Sequence, residues 1–557
     1  MTEVSAEKAF NTLLEQYYSA WFRYHPERAV QVGVSGYEDQ LKPYSNDDAG
    51  ALVSLNEKML SALEELDFSA LSADHQIDYT IIHNAVVTEL HELLENDWRY
   101  CRPQDYVPVE AIHQLLIRPV ENLHQAFKHR MKQIPEYLRG ARSYIDQCPE
   151  KIPLSWLKGA SLQATSGARF FRDLTSHVTV VNEFQNPARL QPVCEQSAIA
   201  LDEFSHYLNE MQTTVSGDFA CGKESFERLL KNSHCLDISA DDLYSFGENL
   251  FNETTKQLEQ LTKELTTDGN MEELLASIRQ DLPGRDYVKG DTEVLLSAYR
   301  DRMKKTFEFV KEYQLVSIPK KQSLKIINTP EFLRHEIPFA AYEEPTSNDE
   351  QQRGYYYVTP VVSEGHMLEH NWISIDLTCV HEAFPGHHLQ FVTANNNSAN
   401  SLPRLLNPSA TMYEGWALYC EDLMQEQGFL HKPEHKFIML RDRLWRALRV
   451  MLDVELHCRD LSIDDAAQKM CTHLSFSIDQ ARADISWYTQ NPTVPMGYAV
   501  GWALIKALRE QQSKAEDFNL KDFHNKLLSV GSCALPLVIK CAFDEQAWQQ
   551  AKEKVFG

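Results

Sequence analysis

The sequence has no cysteines in a CxxC spacing, no long apolar run and no segment dense in lysine and arginine. Its 11 cysteines are scattered and odd in number, which argues against a disulfide framework and against a zinc site built from cysteine. A membrane-spanning helix needs about 18 uninterrupted apolar residues, and the N-terminus lacks a basic segment followed by an apolar stretch. These absences predict a cytoplasmic protein with reduced cysteines and no membrane segment.

Basic residues are fewer than acidic ones, 54 against 80, and the formal net charge is -26 at pH 7. A surface with this charge repels the phosphate backbone of nucleic acids and the head groups of anionic membranes, so neither is an expected partner. Apolar residues make up 43% of the chain and charged residues 24%, which is ordinary for a globular protein. With 557 residues, the chain can form a large core or more than one.

Apolar residues recur three and four positions apart along most of the chain, as they do on the buried face of an amphipathic helix. This periodicity predicts a mainly α-helical fold with long helices. It is clearest in residues 6–24, 81–96, 120–148, 195–213 and 241–267. No repeat or flexible linker divides the chain, so we expect one large unit, residues 1–557.

The part of the chain after residue 320 differs in character, which suggests a soft subdivision into a helical part, 1–320, and a second part, 321–557. Short runs of β-branched and aromatic residues occur here between proline, asparagine and serine residues. These runs are 324–327, 354–358 and 372–375. We expect them to form a small β-sheet next to the helices of a metal site.

His381 is followed directly by Glu382, as in the HExxH helix of zinc hydrolases, where two histidines one turn apart hold the metal. The residue four positions after His381 is Pro385, which has no ligand atom, and the next imidazoles are His387 and His388. On a straight α-helix these two would lie about 9 and 10 Å along the axis from His381. Two nitrogens bound to one zinc ion are little more than about 4 Å apart, so an unbroken helix would allow neither pair to chelate it.

The intervening Pro385-Gly386 pair can break the helix. Proline removes a backbone donor and clashes with the preceding turn, whereas glycine tolerates almost any backbone angle. A two-residue excursion would bring His387 to the place of the missing ligand, and a three-residue excursion would bring His388 there instead. We favour His387 and keep His388 as the alternative.

A third metal ligand is expected from the helix around residues 413–421. Glu414 is the stronger candidate because the adjacent glycine allows two helices to approach closely, whereas Glu421 lies two turns further along. The plainer interpretation is that Glu414 only favours the positive N-terminal end of its helix. Two imidazoles and one carboxylate leave an open position on Zn²⁺, which lowers the pKa of a bound water towards about 7. Glu382 is then the expected general base.

A tyrosine is the expected hydrogen-bond donor to the oxyanion that hydrolysis would form. Tyr498 lies between Gly497 and Gly501 at the start of an apolar helix, where the glycines would permit close packing. Taken alone, a tyrosine at such a position is more often a core residue.

Arg446, Arg449, Asp453 and His457 lie three or four positions apart and therefore share one face of a helix. They could bind a carboxylate of a substrate or support the metal ligands. An ordinary network of ion pairs between helices is at least an equal alternative.

These motifs resemble the family catalogued as domain of unknown function 885, whose members carry a His-Glu-x-x-Pro-Gly-His signature. The resemblance extends over the full length of the chain and implies a mostly helical, zincin-like fold of the gluzincin type, with long helices around a deep cleft. It also implies a distant relation to carboxypeptidases and oligopeptidases. The matching positions are Pro26, Gly33, 381–390, 413–421, Arg446, Arg449, Asp453, His457, Gly497, Tyr498, Gly501, 523–528, Gly531 and 536–537.

The sequence therefore predicts a zinc-dependent hydrolase, most simply a metallopeptidase with short peptides as substrates. One alternative is a non-haem iron site of the oxygenase type, in which two histidines and a carboxylate bind Fe(II). Another is a non-catalytic protein that binds zinc structurally. Glu382 distinguishes the hydrolase from the oxygenase-type alternative. Attack by water requires a carboxylate directly after the first metal ligand, whereas oxygen activation does not.

Overall fold

The computed structural model describes residues 3–267, 269–283, 292–334, 337, 339–361, 364–397 and 400–557. These residues are mainly helical and contain a small three-stranded sheet, which confirms the expected fold class. The chain forms two compact units. The N-terminal unit comprises Met1–Phe219, Glu331–His335 and Thr346–Glu350, and the C-terminal unit comprises Ala220–Pro330, Glu336–Pro345 and Gln351–Gly557.

The N-terminal unit is helical and has its own apolar core. Its helices are α1 (Glu3–Trp21), α2 (Pro26–Val32), α3 (Asn46–Glu64), α4 (Ala73–Glu95), α5 (Trp98–Cys101), α6 (Val109–Ile117), α7 (Leu123–Ile145), α8 (Leu154–Asp173), α9 (Val178–Glu183) and α10 (Gln191–Glu210). Helices α7, α8 and α10 pack together around Phe127, Leu157, Phe171 and Leu201, which are fully buried. Burial of large apolar side chains of this kind is the main stabilising term of a helical unit.

The C-terminal unit contains the strands and the residues expected to bind metal. Its strands are β1 (Ser323–Asn328), β2 (Ala340–Glu343) and β3 (Arg353–Val358). Its helices are α11 (Lys223–Ser233), α12 (Ala240–Leu265), α13 (Met271–Arg279), α14 (Glu293–Glu312), α15 (Glu364–Glu369), α16 (Trp372–Glu382), α17 (His387–Asn395), α18 (Leu402–Leu406), α19 (Ala410–Glu426), α20 (Pro433–Cys458), α21 (Ile463–Leu474), α22 (Ile478–Gln490), α23 (Gly497–Gln512), α24 (Leu520–Leu528), α25 (Leu535–Ala542) and α26 (Glu545–Phe556).

The sheet has the strand order β1-β3-β2, with β3 parallel to β1 and antiparallel to β2. Tyr356 in the central strand is fully buried and pairs with Ile326 of β1 and Tyr342 of β2. Aromatic and β-branched side chains suit such a pleated surface, and the two runs at 324–327 and 354–358 are strands as expected.

Residues 372–375 were expected to form a strand, and that prediction was wrong, because they form the first turn of α16. Asn371 caps this helix, since its side-chain oxygen accepts a hydrogen bond from the N–H of Ser374 at 3.0 Å. Such a cap stabilises a helix start by about 1 kcal/mol. A short apolar run is compatible with either structure, and here the cap and the packed helix that follows decide it.

Helices α19 and α23 are in direct backbone contact. A Cβ atom on Gly415 would lie 2.5 Å from the Cα of Gly501, and a Cβ on Gly501 would overlap the carbonyl of Thr411. Helix α16 also packs against α19. The close approach of α19 and α23 therefore places the beginning of both helices near the end of α16.

Replacing Gly501 with alanine should lower the melting temperature, because overpacking at such a contact costs about 1–3 kcal/mol. Gly159 in α8 is the matched control, since a Cβ there would meet no atom within 4 Å. Alanine at that position should instead raise the stability by about 0.5–1 kcal/mol. Thermal unfolding followed by circular dichroism measures both, and a Gly501→Ala melting temperature no lower than that of wild type would contradict the close packing.

Candidate metal centre

The helix that carries His381 ends one residue after it, and a new helix begins at His387. Between them the Phe384–Pro385 peptide bond is cis, and the N–H of Gly386 donates to the carbonyl of Val380 at 3.1 Å. A Cβ on Gly386 would collide with the carbonyl of His381, so only glycine fits here. The break turns His387 back towards His381, and their ring centroids are 4.9 Å apart.

Trp416 of α19 holds this break in place. Its ring is fully buried, and its Nε1–H donates to the carbonyl of Pro385 at 2.8 Å. The hydrogen bond satisfies a carbonyl that a helix would otherwise have engaged, so the break leaves this buried backbone group paired.

Three side chains converge at the break. Nε2 of His381 and Nε2 of His387 lie 3.6 and 3.2 Å from Oε2 of Glu414. One ligand atom from each residue lies within 4.8 Å of the other two. Both histidines are buried, at 8% and 7% exposure. The structure therefore brings together the three residues that were predicted to bind the metal.

This donor set fits a zinc ion. Two imidazoles and one carboxylate are a common protein ligand set of catalytic zinc sites. Oε2 of Glu414 is buried and, within the described residues, has no partner in hydrogen-bonding geometry. A buried carboxylate oxygen that accepts no hydrogen bond is incompletely stabilised, and a cation held between the three side chains would stabilise it.

The charges around the cluster also favour a cation. Burial lowers the pKa of His381, but its contacts with Glu414 and Glu421 outweigh this effect and raise the pKa to about 10. Burial acts to raise the pKa of Glu414, whereas the charge of His387 and the contacts with both imidazoles hold it well below its usual range. Burial raises the pKa of Glu382 in spite of the two imidazoles. Three carboxyl groups thus surround two imidazoles, and a divalent cation would balance them.

Glu421 orients His381. Its Oε1 lies 2.8 Å from Nδ1 of His381, which leaves Nε2 of that ring directed towards Glu414. Carboxylates commonly hold metal-ligating histidines in this way. The sequence pointed to Glu421 only as a weaker third ligand. The available signal was its seven-residue spacing from Glu414, which places both carboxylates on one face of α19.

Replacing Glu421 with glutamine should weaken zinc binding by about 10- to 100-fold, because the His381 ring loses its charged partner. Competition with a chromophoric chelator measures this affinity. Glu426→Gln is the matched control, since Glu426 lies on the same helix and pairs with Arg509 at 2.7 Å. Equal zinc affinities in the two variants would show that Glu421 does not support the site.

His388 is directed towards the sheet. Its Nδ1 lies 3.0 Å from the hydroxyl of Tyr342 in β2, and its Nε2 lies 3.0 Å from Oε1 of Gln322. Burial lowers the pKa of His388 to about 3, so the ring is neutral. Both ring nitrogens are engaged, which leaves His387 as the histidine that faces Glu414.

Tyr498, the second residue of α23, stacks on His381 with the ring centroids 6.5 Å apart and the planes at 17°. Burial and then the charge of Glu414 raise the pKa of Tyr498 well above its usual value, so the phenol keeps its proton. The protonated phenol of Tyr498 therefore lies beside His381.

A family model described as a bacterial protein of unknown function, DUF885, matches residues 26–540. The chain belongs to the DUF885 family. This confirms the family resemblance that the motifs indicated, and the family description assigns no activity. No protein with a curated function matches this DUF885 chain.

Two solved structures share the fold of this DUF885 protein, and both are described as putative lipoproteins. The protein from Shewanella oneidensis, of unknown function, is 22% identical with a TM-score of 0.75, and the match covers 95% of this chain and 98% of that chain. The protein from Colwellia psychrerythraea is 16% identical with a TM-score of 0.78, and the match covers 96% and 98% of the two chains. At these identities the likeness shows the fold alone.

The expected cytoplasmic location is contradicted by these structural relatives. A lipoprotein is attached to a membrane through a covalent lipid, and this anchor leaves no apolar run in the folded part of a chain. The lack of such a run therefore does not establish where a protein resides. Among the helices of the described residues, none is both long and apolar enough to cross a bilayer.

Arg446 and Arg449 of this DUF885 protein lie against the ring of Tyr498. Their guanidinium carbons are 5.6 and 4.8 Å from the centroid of that ring. Arginines in such positions are attracted by the face of the aromatic ring. Two of the four polar residues on this face of α20 therefore lie beside the candidate metal centre.

The other two residues on this face of α20 contact backbone atoms. The carboxyl group of Asp453 accepts a hydrogen bond from the N–H of Thr493 at 3.1 Å, and burial raises the pKa of Asp453 well above its usual value. Nε2 of His457 lies 3.1 Å from the carbonyl of Tyr488. These contacts hold the segment that leads into α23.

Proposed function

We propose that this protein is a zinc-dependent metallopeptidase that hydrolyses short peptides. The observation that carries the proposal is the convergence of His381, His387 and Glu414 at the helix break, with Glu382 directly after the first of them. A structural zinc site would need a fourth protein ligand. Among the described residues, three histidine, cysteine or acidic side chains form this group, so a zinc ion held by them would keep its fourth coordination position for water.

Each residue at the centre has a part in hydrolysis. His381, His387 and Glu414 would hold the zinc, which supplies Lewis acidity and lowers the pKa of a coordinated water when it is bound. Glu382 would take a proton from the attacking water and pass it to the leaving amine. Burial moves the pKa of Glu382 upwards, in the direction of neutral pH. A group that first accepts and then donates a proton works best when its pKa lies near the pH of the reaction.

Tyr498 would stabilise the oxyanion. Its phenol stays protonated and lies beside His381, so it can donate a hydrogen bond to the carbonyl oxygen as negative charge develops there. Removing one such donor typically lowers the rate by about 100- to 1,000-fold.

A peptide is the proposed substrate because the sheet lies beside the metal centre. Strand β2 is at an edge of the sheet, and the ring of Tyr342 in β2 stacks on His387 with the centroids 6.3 Å apart. Extended peptides bind along strands through backbone hydrogen bonds. A peptide that runs along β2 would bring its carbonyl groups close to His387.

Metal analysis followed by a peptide-library digest tests this function. The purified protein should contain about one zinc ion per chain, and it should cleave members of the library in a reaction that a chelator stops and added zinc restores. Mass spectrometry of the products identifies the cleaved bonds. A digest without chelator-sensitive cleavage would overturn the assignment as a peptidase.

A further inference from the structure

Arg446 carries hydrogen-bond donors that no described residue satisfies. Its Nε and Nη1 atoms are buried, and neither has a hydrogen-bond partner in the parts of the chain that the structure describes. Burying a charged donor without a partner is unfavourable. The arrangement is therefore suited to an acceptor that comes from outside the chain.

Aromatic rings hold this guanidinium next to the metal centre. Its central carbon lies 4.3 Å from the ring centroid of Trp445 and 5.6 Å from that of Tyr498. Tyr498 in turn stacks on the metal-ligand candidate His381. The guanidinium of Arg446 and the ring of His381 are thus both neighbours of the same phenol ring.

Arg449, one turn further along α20, provides an internal comparison. It contacts the same ring of Tyr498, but its Nε donates to the hydroxyl of Tyr488 at 2.7 Å and its Nη2 lies 3.6 Å from Asp484. The charge of Arg449 is therefore balanced within the chain. Of the two arginines beside Tyr498, Arg446 is the one whose buried Nε and Nη1 donate no hydrogen bond to any described residue.

We propose that Arg446 binds the terminal carboxylate of the substrate, so that the enzyme prefers peptides whose free C-terminus lies one or two residues from the cleaved bond. This inference rests on the metallopeptidase function proposed above and specifies its substrate class as that of a carboxypeptidase. Trp445 and Tyr498 would hold the guanidinium in place before the substrate arrives.

The chemistry and the dimensions both fit a carboxylate. The guanidinium group presents parallel N–H donors that match the two oxygens of a carboxylate, and such charge-assisted pairs are stronger than neutral hydrogen bonds. One residue of extended chain spans at most about 3.6 Å. Since Arg446 and His381 are neighbours of the same ring, one or two residues are enough to connect a cleaved bond beside His381 with a carboxylate beside Arg446. A side-chain carboxylate at the same distance would share this chemistry.

Matched peptides test the inference. Peptides that the protein cleaves near their C-terminus would be synthesised as free acids and as C-terminal amides, and kcat/KM would be measured for each pair. Wild type should favour the acids by about 10- to 100-fold, the range that a charge-assisted hydrogen bond supports. In Arg446→Met this ratio should fall towards one, with an intermediate ratio in Arg446→Lys, which keeps the charge but not the planar fork.

A surface arginine provides the control. Arg482 is 53% exposed and pairs with Asp464 at 2.9 Å, so Arg482→Met should keep the wild-type ratio of acid to amide. Equal cleavage of acids and amides by wild type would overturn the carboxylate site and leave the metallopeptidase function standing. An unchanged ratio in Arg446→Met would also overturn it.

A binding measurement keeps the inference testable if no peptide is cleaved. N-acetylphenylalanine and its amide would be titrated into the zinc-loaded wild type and the zinc-loaded Arg446→Met variant and followed by NMR of the ligand. Wild type should bind the acid at least about 10-fold more tightly than the amide, and the variant should bind both alike. This result without any turnover would refute the proposed function and support the carboxylate site, whereas equal binding by wild type would refute the site.

Discussion

Glu382→Gln should keep the wild-type zinc content and lose nearly all peptide hydrolysis. Glutamine has almost the same size as glutamate but cannot accept a proton, and Glu382 is not one of the three converging ligands. A general base contributes about 100- to 10,000-fold to the rate, so kcat/KM should fall by a factor in this range. Atomic absorption gives the zinc content, and initial rates on a peptide from the library digest give kcat/KM.

Glu369→Gln is the control for this variant. Glu369 ends α15 and pairs with Arg279 at 2.7 Å with 47% of its side chain exposed, so its replacement should leave hydrolysis intact. Full activity of zinc-loaded Glu382→Gln would exclude Glu382 as the general base.

The second large effect is expected from two adjacent histidines. His387→Gln should weaken zinc binding by at least about 100-fold, because a zinc site of about 10–16 kcal/mol then loses one of its few ligands. His388→Gln should keep the affinity within about 10-fold, since His388 contacts Tyr342 and Gln322 instead of the candidate metal ligands. Competition against a chelator of known affinity compares the two proteins directly.

Comparison of the two variants decides whether His387 or His388 is the second histidine ligand, which the sequence left open. A greater loss of zinc affinity in His388→Gln than in His387→Gln would mean that His388 binds the metal, as the three-residue excursion requires. Circular dichroism of both variants shows whether either substitution has unfolded the helices around the break, which would otherwise be mistaken for the loss of a ligand.

Long helices could be predicted because their determinants are local. The segment 241–267, for example, forms α12 (Ala240–Leu265), and Ser239 and Asp242 complete a capping box at its start. The short strand β2 (Ala340–Glu343) was missed because two alanines in four residues give no strand signal. Its extended conformation depends on pairing with β3, which is not visible in its own residues.

Those features of the candidate site that follow from the covalent geometry of the chain could be predicted from the sequence. The spacing of His381 and His387 excludes an unbroken helix around one metal ion, and Pro385-Gly386 is the means of breaking it. The contact of Glu421 with His381 depends instead on how α16 and α19 pack. The Arg446 donors that find no partner among the described residues likewise follow from the burial of α20, which no local pattern reports.

Helix α19 carries the ligand candidate Glu414, the tryptophan that binds the broken segment and the carboxylate that orients His381. The positions of these three side chains therefore all depend on how the one helix α19 packs in the fold. Zinc bound there would act as a ligand of the native state alone, because the unfolded chain has no such arrangement. The supply of metal in the surroundings would then help to set how much of the C-terminal unit stays folded.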